Sequence, residues 1–272
     1  MPRCSILAIG NEVLNGEVRD LNLYTLGRRL TQLGFNVNGA VVAPDVHESI
    51  AQGLRFLLAQ DPDVVVCCGG LGPTDDDLTL SAIAGALHLD LVDHAGARDM
   101  VEAQYNDLIE RGYLHQRGPE VARIKMARLP QGARPLPNSL GTAPGVHLLV
   151  GTVHIYILPG VPAELNAIFE EAMVPELQAR FEVGAFAEEA IRVHVDDEAD
   201  IAAPLEAARR RHPHVYIKSL ARPFPSAGRE GLKIVAIARA TSQAAATELA
   251  GAAIGDLKEK LAQSGLRISQ EH

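Results

Sequence analysis

The chain has no tryptophan, and aromatic residues fill only 4% of its 272 positions. Stacking platforms for nucleic-acid bases are therefore poorly supplied. Basic residues are also in deficit. Lys and Arg number 25 against 34 Asp and Glu, a net charge of −9, and no basic run stands out. That argues against nucleic-acid binding through a positive face. Three cysteines, Cys4, Cys67 and Cys68, are too few for a disulfide framework and each stands in an apolar run, where it reads as core. No apolar leader region opens the chain, and no apolar stretch reaches membrane-spanning length. A reduced, soluble, cytoplasmic protein without a membrane partner is expected. Familiar catalytic signatures are missing as well. There is no Gly-x-Ser-x-Gly elbow, no Walker lysine after a glycine loop, and no Gly-x-Gly-x-x-Gly after the first apolar run. His194, His212 and His214 lack further ligands at finger-like spacing, so zinc is not expected there.

What is present is an ordinary apolar content of 47% and an alternation of strand and helix patterns. Cys4 to Ile9, Asn36 to Val42 and Val64 to Cys68 read as strands. Between them, Leu23, Leu26, Leu30 and Leu33 share one helical face, with Asn22 as N-cap and Gly34 beyond the C-terminus. Asp45 and Glu48 form a capping-box pattern ahead of Ile50, Leu54 and Leu57. This order argues for parallel strands joined by right-handed crossovers. Residues 95–127 read as helical cover over the sheet mouth. His147 to Val150 and Thr152 to Leu158 read as a hairpin around Gly151, followed by a helix over 163–171. A boundary is expected near 183. Domain 1 is thus 1–183, a three-layer α/β/α unit with a mostly parallel sheet. Domain 2 is 184–272, a small α+β module whose paired strands enclose a loop marked by Pro223, Pro225, Gly228 and Gly231.

The chemistry concentrates where the third strand ends: Gly69, Gly70, Leu71, Gly72, Pro73, Thr74, Asp75, Asp76, Asp77, Leu78, Thr79. In an open α/β sheet, ligands bind at the carboxyl ends of the strands. Glycines let backbone N–H groups approach an anion closely, and a helix N-terminus favours negative charge. Three carboxylates in such a place repel a phosphate unless a cation lies between. The pattern suggests a phosphate-bearing ligand held with a divalent metal, Mg, Mn or Co. The plainer account is helix N-capping, which explains one or two acids better than three. Asn11 and Glu12 follow the first strand and open on the same edge. They are either a surface turn or a ligand-binding pair, with Glu12 completing a metal site alongside Asp76 and Asp77. Ser139, Gly141 and Thr142 lie in a second Gly/Ser/Thr-rich loop. Lys125 is either a solvated charge or a phosphate ligand. Pro159 and Gly160 again join a strand to a helix, where Glu164 either caps the helix or touches a ribose.

Five segments in order, Gly10 to Leu14, Gly69 to Thr74, Asp76 to Thr79, Gly141 to Gly145 and Leu158 to Glu164, resemble the N-terminal part of the CinA (competence/damage-inducible protein A) family. That part belongs to the wider molybdopterin-binding, MogA/MoaB/MoeA-like fold. The likeness is strong over roughly the first 170 residues, and the remainder resembles the small second domain of short family members. No segment resembles the nicotinamide-nucleotide amidase domain of full-length CinA, so deamidation is not expected. The resemblance implies metal-dependent hydrolysis of ADP-ribose or a related, FAD-like dinucleotide pyrophosphate. In molybdopterin relatives the corresponding loop binds a pterin phosphate, and its Asp, which aligns with Asp77, supports adenylyl transfer; Thr79 aligns with that motif's Thr. Asp75 departs from the CinA pattern, where a basic residue is common.

Resemblance and residues together suggest catalysis by Asp77, Asp76 and Lys125, with the backbone of Gly70 to Thr74 stabilising charge and Ser139 or Thr142 orienting a second phosphate. Two alternatives stand beside this reading: a molybdopterin-binding, adenylyltransferase-like protein of molybdenum cofactor metabolism, and a non-catalytic nucleotide sensor. The partner expected is a small-molecule nucleotide, and the assembly expected is a homodimer or homotrimer.

Overall fold

The structure is a computed structural model of the chain and describes residues 1–182, 184–195, 197–220 and 231–270. It divides into two compact units. The first comprises Met1–Thr31 and Phe35–Glu182, the second Gln32–Gly34 and Val183–His272. The loop expected around Pro223, Pro225 and Gly228 lies outside the described residues.

In the first unit, β1 (Arg3–Ile9), α1 (Asn11–Leu14), α2 (Asn22–Gln32), β2 (Asn36–Ala43), α3 (His47–Leu58), β3 (Val64–Cys68) and α4 (Thr79–Ala86) follow in order. Then come β4 (Leu91–Asp93), α5 (Ala95–Glu110), α6 (Glu120–Met126), β5 (Arg128–Pro130) and β6 (Arg134–Leu136). The unit closes with β7 (Gly145–Val150), β8 (Val153–Leu158), α7 (Pro162–Ile168), a π-helical turn at Phe169–Met173 and α8 (Val174–Arg180). The helix expected over 163–171 therefore runs on to Arg180. The short strands β4, β5 and β6 carry too few residues for an alternation to show in sequence.

The main sheet has the order β2-β1-β3-β8-β7-β6. Its first four strands are parallel; β7 and β6 are antiparallel additions. Every residue of β3 is buried, which explains its unbroken apolar run: a central parallel strand is covered on both faces. Leu7, Ile9, Val65, Cys67, Ile155 and Ile157 pack with Ile50, Leu54 and Leu57 of α3 and Ile83 of α4. The intervening Ile6, Val66, Tyr156 and Leu158 are buried as well. Burial pushes the thiols of Cys4, Cys67 and Cys68 up, consistent with core packing rather than reactivity.

The connections decide where a ligand can enter. From β1 the chain steps to β2 on one side; from β3 the sheet continues to β8 on the other. Right-handed crossovers in opposite directions place helices on opposite faces and leave a crevice at the carboxyl ends of β1 and β3, the topological switch point.

Two helix starts differ from expectation. At α2, Asp20 Oδ1 accepts the N–H groups of Asn22 (2.8 Å) and Leu23 (3.1 Å), so Asp20 caps the helix, and the Asn22 amide donates to Gly160 O at 2.7 Å. At α3, the N-cap is Val46, with no side-chain cap. The capping box expected from Asp45 and Glu48 does not form, because Asp45 bonds elsewhere.

The second unit holds β9 (Ala185–His194), a 3-10 turn at Glu198–Ile201, α9 (Ala202–Arg211), β10 (Val215–Leu220), β11 (Leu232–Ala240), α10 (Gln243–Gln263) and β12 (Arg267–Gln270). Its antiparallel sheet has the order β10-β11-β9-β12. The last strand was not expected from sequence, since its four residues follow a long helix without an apolar alternation. Ile191, Val193, Ile234, Ala236, Ile254 and Leu257 build its core. Among the described residues, no helix is long and apolar enough to cross a membrane.

Candidate functional site

A cavity of about 580 Å³ opens at the carboxyl ends of β1, β3 and β8, a volume in the ordinary range for a small-molecule site. Its floor is the loop from β3 to α4. Gly69 donates its N–H to Leu158 O at 3.0 Å and adopts φ 106°, and a Cβ there would run into the carbonyl oxygen of Ile9. Only glycine passes between β1 and β8 at this point. Thr79 is buried, and its hydroxyl donates to Gly69 O at 2.7 Å. It pins the loop and does not face the cavity.

Lys125, from α6, reaches under the same loop. Its ammonium donates to Gly72 O (3.1 Å), Asp77 O (2.8 Å) and Thr74 O. Partial burial lowers its pKa, against the opposing pull of Asp77, Asp75 and Asp76. Three donors on three carbonyls leave no proton for a ligand. Lys125 therefore positions the loop; its expected role as a direct phosphate ligand does not match this geometry. The peptides that carry the Gly70 and Leu71 N–H groups are fixed through their carbonyls by Thr79, whose hydroxyl donates to Gly69 O and whose N–H donates to Gly70 O at 3.3 Å. The N–H groups of Gly70, Leu71 and Gly72 have no acceptor among the described residues. Gly70, Leu71, Gly72 and Pro73 all line the cavity.

The acids above the floor are ordered too. Asp77 Oδ2 accepts the Thr74 N–H at 2.9 Å and the Thr74 hydroxyl. The neighbouring Thr74 hydroxyl, its own backbone N–H and the Lys125 charge hold the Asp76 carboxyl below its ordinary range. Asp76 and Asp77 line the cavity, whereas Asp75 does not, so two acids of the run face it rather than three. Helix capping does not account for them: α4 begins after Leu78 with no side-chain cap.

On one flank stand Glu12 and Asp45. Asp45 Oδ2 accepts the Asn11 N–H at 2.8 Å, and the Asn11 amide oxygen accepts the Asp45 N–H at 3.4 Å. Asn11 therefore braces Asp45 from behind and does not line the cavity. On the other flank lie Thr142, Pro159, Gly160 and Glu164. Asn138 organises that side. Its oxygen accepts the N–H groups of Leu140 (3.1 Å) and Gly141 (2.9 Å). Its amide donates to Ala143 O and Glu164 Oε2, both at 2.8 Å. Glu164 is thus held by Asn138 and caps nothing, as α7 has no side-chain cap. Gly141 packs behind the lining, and the Ser139 hydroxyl turns away to Glu171 at 3.2 Å.

This cavity at the switch point, floored by a glycine loop, coincides with the segment shared with known proteins. Residues 5–179 match the family described as probable molybdopterin binding domain. The chain is a CinA-like member of that family. A crystal structure of the CinA protein of Thermoplasma acidophilum superposes with a TM-score of 0.57 at 34% identity, covering 63% of this chain and 96% of that one. A protein of Aeropyrum pernix is 38% identical over 271 residues, 99% of this chain and 97% of its own length. A CinA-like protein of Frankia casuarinae is 39% identical over 178 residues, 65% of this chain and 40% of its own. The CinA and CinA-like matches cover about two thirds of the chain, and the Aeropyrum relative covers nearly all of it.

Asp45 and Asn138 are the polar residues of the site that the sequence does not mark as such. Asp45 was absorbed by a capping pattern, although it stands just past a strand that ends on the ligand edge. Asn138 stands directly before the Gly/Ser/Thr-rich loop, and an Asn two and three residues ahead of N–H groups is a recognisable turn-former.

Proposed function

We propose that the chain is a divalent-cation-dependent hydrolase of nucleotide pyrophosphates, with ADP-ribose or an FAD-like dinucleotide as substrate. One observation carries the reading. The same cavity is lined by Gly70, Leu71 and Gly72, whose N–H groups have no acceptor among the described residues, and by Glu12, Asp45, Asp76, Asp77 and Glu164. No Lys, Arg or His is among the described residues that line it. A diphosphate alone is repelled by those acids, while one accompanied by a divalent cation is attracted. The donor set suits that pairing. No three His, Cys, Asp or Glu side chains among the described residues converge as a ready-made metal cluster, and a Mg-sized ion is typically held by one or two carboxylates plus substrate phosphates. Asp76 and Asp77 would hold it; Glu12, expected to complete a three-carboxylate site with them, lines the cavity without forming such a cluster. When bound, Mg, Mn or Co supplies neutralisation of the diphosphate and acidification of a water.

The chain's own residues do the rest. The N–H groups of Gly70, Leu71 and Gly72 bind phosphate oxygens and stabilise the charge that develops there. Thr74 fixes Asp77, and Lys125 keeps the loop carbonyls out of the cavity. Water adds across the P–O–P bridge, so ADP-ribose gives AMP and ribose 5-phosphate. A homodimer or homotrimer belongs to the same proposal, because Leu14, Val18, Leu21 and Tyr24 expose apolar surface along one stretch; sedimentation measures it.

The second reading is binding of a molybdopterin-type phosphate with adenylyl transfer, favoured by the family that residues 5–179 match. The deciding experiment incubates the protein with ADP-ribose, FAD, NAD and diadenosine polyphosphates under Mg, Mn and Co, and identifies phosphate esters by mass. Asp77→Asn is expected to abolish release of monophosphates while the melting temperature moves by no more than about 2 °C. Release of no monophosphate from any substrate overturns the hydrolase. An adenylylated product from molybdopterin and Mg-ATP establishes the second reading. Undiminished turnover in Asp77→Asn removes Asp77 from the mechanism.

A further inference from the structure

Asp45 has no part in the hydrolytic scheme, yet it faces the cavity and is half-buried. It follows β2, the strand beside β1. Three adjacent strands therefore end in a row: β3 in the N–H cradle, β1 in the Gly10 turn, β2 in Asp45. Backbone contacts tie the row together. Gly69 is pressed against Ile9 O, and Gly10 N–H donates to Ala43 O at 3.1 Å. From cradle to Asp45 is two inter-strand steps, about 10 Å. That matches the reach of a nucleotide from a phosphate on the loop to the hydroxyls of its sugar. In doubly wound sheets, an acid past the second strand is placed to accept hydrogen bonds from a ribose.

The carboxylate has one oxygen available for that task. Asp45 Oδ2 is engaged by the Asn11 N–H, and the Asp45 N–H by the Asn11 side chain. This reciprocal pair leaves Oδ1 without a partner among the described residues. An ionised carboxylate only accepts, so Oδ1 rejects phosphate and selects a donor. Vicinal hydroxyls are such donors.

Resting on the reading of the cavity as a nucleotide site, we infer that Asp45 is a specificity-determining residue that recognises the ribose cis-diol of the substrate through Oδ1. The site then discriminates ribonucleotides from sugar-less phosphates and deoxy analogues on the β2 flank, independently of hydrolysis.

The test is titration calorimetry with Mg-ADP and Mg-2′,3′-dideoxy-ADP, on the wild type and on Asp45→Asn. The Asn variant keeps an oxygen for the Asn11 N–H and replaces the other by a donor. Loss of one charge-assisted hydrogen bond corresponds to about tenfold in affinity or more. The wild type is expected to prefer ADP by that factor. Asp45→Asn is expected to erase the preference while binding dideoxy-ADP as the wild type does. A preference that survives in Asp45→Asn overturns the inference and leaves the nucleotide reading standing, as does a wild type that binds both ligands equally. Equal weakening toward both ligands in Asp45→Asn assigns the residue to bracing the Asn11 turn and overturns it too. A wild type that binds neither nucleotide overturns the nucleotide reading and the inference with it.

Discussion

Two loops close on the cavity, and they are stiffened by opposite means. The Gly69 to Thr79 loop is held by a cation: Lys125 collects the carbonyls of Gly72, Thr74 and Asp77. The Asn138 to Gly145 loop is held by an amide, whose oxygen collects the N–H groups of Leu140 and Gly141. The consequence is a difference in what each loop can offer. In the first loop the held groups are all carbonyls, those of Gly69 and Gly70 by Thr79 and the rest by Lys125, so what it can offer a ligand is N–H groups. Engaging N–H groups leaves the second loop its side chains, Thr142 among them, and Asn138 also holds the Glu164 carboxylate of α7. A basic residue here braces a loop from behind and does not line the cavity itself.

Glycine substitutions give the largest expected contrast. Gly69→Ala places a methyl against the backbone oxygen of Ile9 at positive φ, where nothing can yield. A loss of about 3 kcal/mol or more is expected in denaturant unfolding. Gly141→Ala meets the far end of the Glu164 side chain, which can swing away. There the expected cost is at most about 1 kcal/mol, with weakened ligand binding from the displaced carboxylate. Equal costs at the two positions would break the distinction between a loop fixed by backbone and one fixed by side chains.

Removing each organiser comes next. Lys125→Met takes three donors from the first loop and is expected to cost about 2–4 kcal/mol and to abolish detectable binding of Mg-ADP. Asn138→Ala leaves Leu140 and Gly141 N–H groups unpaired, at about 1–2 kcal/mol, and weakens binding only several-fold. Calorimetry and urea unfolding on both variants check the order. A reversed order for binding would mean that the second loop carries the phosphates.

Acid pH separates fold from site. Burial, followed by the Arg134 charge, lowers His147 from 6.5 to about 4, and burial moves His154 in the same direction. His147 lies on β7 and His154 on β8, joined by a 3.0 Å contact between their rings. Between these pH values the unfolded chain binds more protons than the folded one. Stability is therefore whole above about pH 6.5 and falls by about 2–3 kcal/mol as the pH approaches 4. Asp76, held low by Thr74, its own N–H and Lys125, stays ionised through that window. Unfolding midpoints should decline across it, while affinity of the folded protein for Mg-ADP-ribose, a pyrophosphate diester with no terminal phosphate to protonate in this range, holds. A parallel decline in both would mean that the site is no stiffer than the sheet.

Much of this was legible in the sequence, for reasons that differ by element. β3, β10 and β11 lie where their apolar or alternating runs place them, because a buried or half-buried strand must show its burial in composition. The site's position was readable from glycines and acids following β3. What sequence did not reveal were partnerships across distance. Lys125 is 48 residues or more from the carbonyls it holds, and nothing local distinguishes it from a solvated lysine. Asn22 and Asp45 both look like helix caps, and each bonds to a distant loop instead. Short strands such as β4 and β5 arise from pairing, not from their own three residues.

The central claim is that ligand phosphates lie on the N–H groups of Gly70, Leu71 and Gly72. Backbone amide resonances, followed by NMR while Mg-ADP-ribose is titrated, address it most directly. The account predicts large shifts at Gly70, Leu71 and Gly72 that vanish when the cation is removed, with Leu140 and Gly141 still. Shifts confined to Leu140 and Gly141, with the first loop silent at saturation, would contradict it.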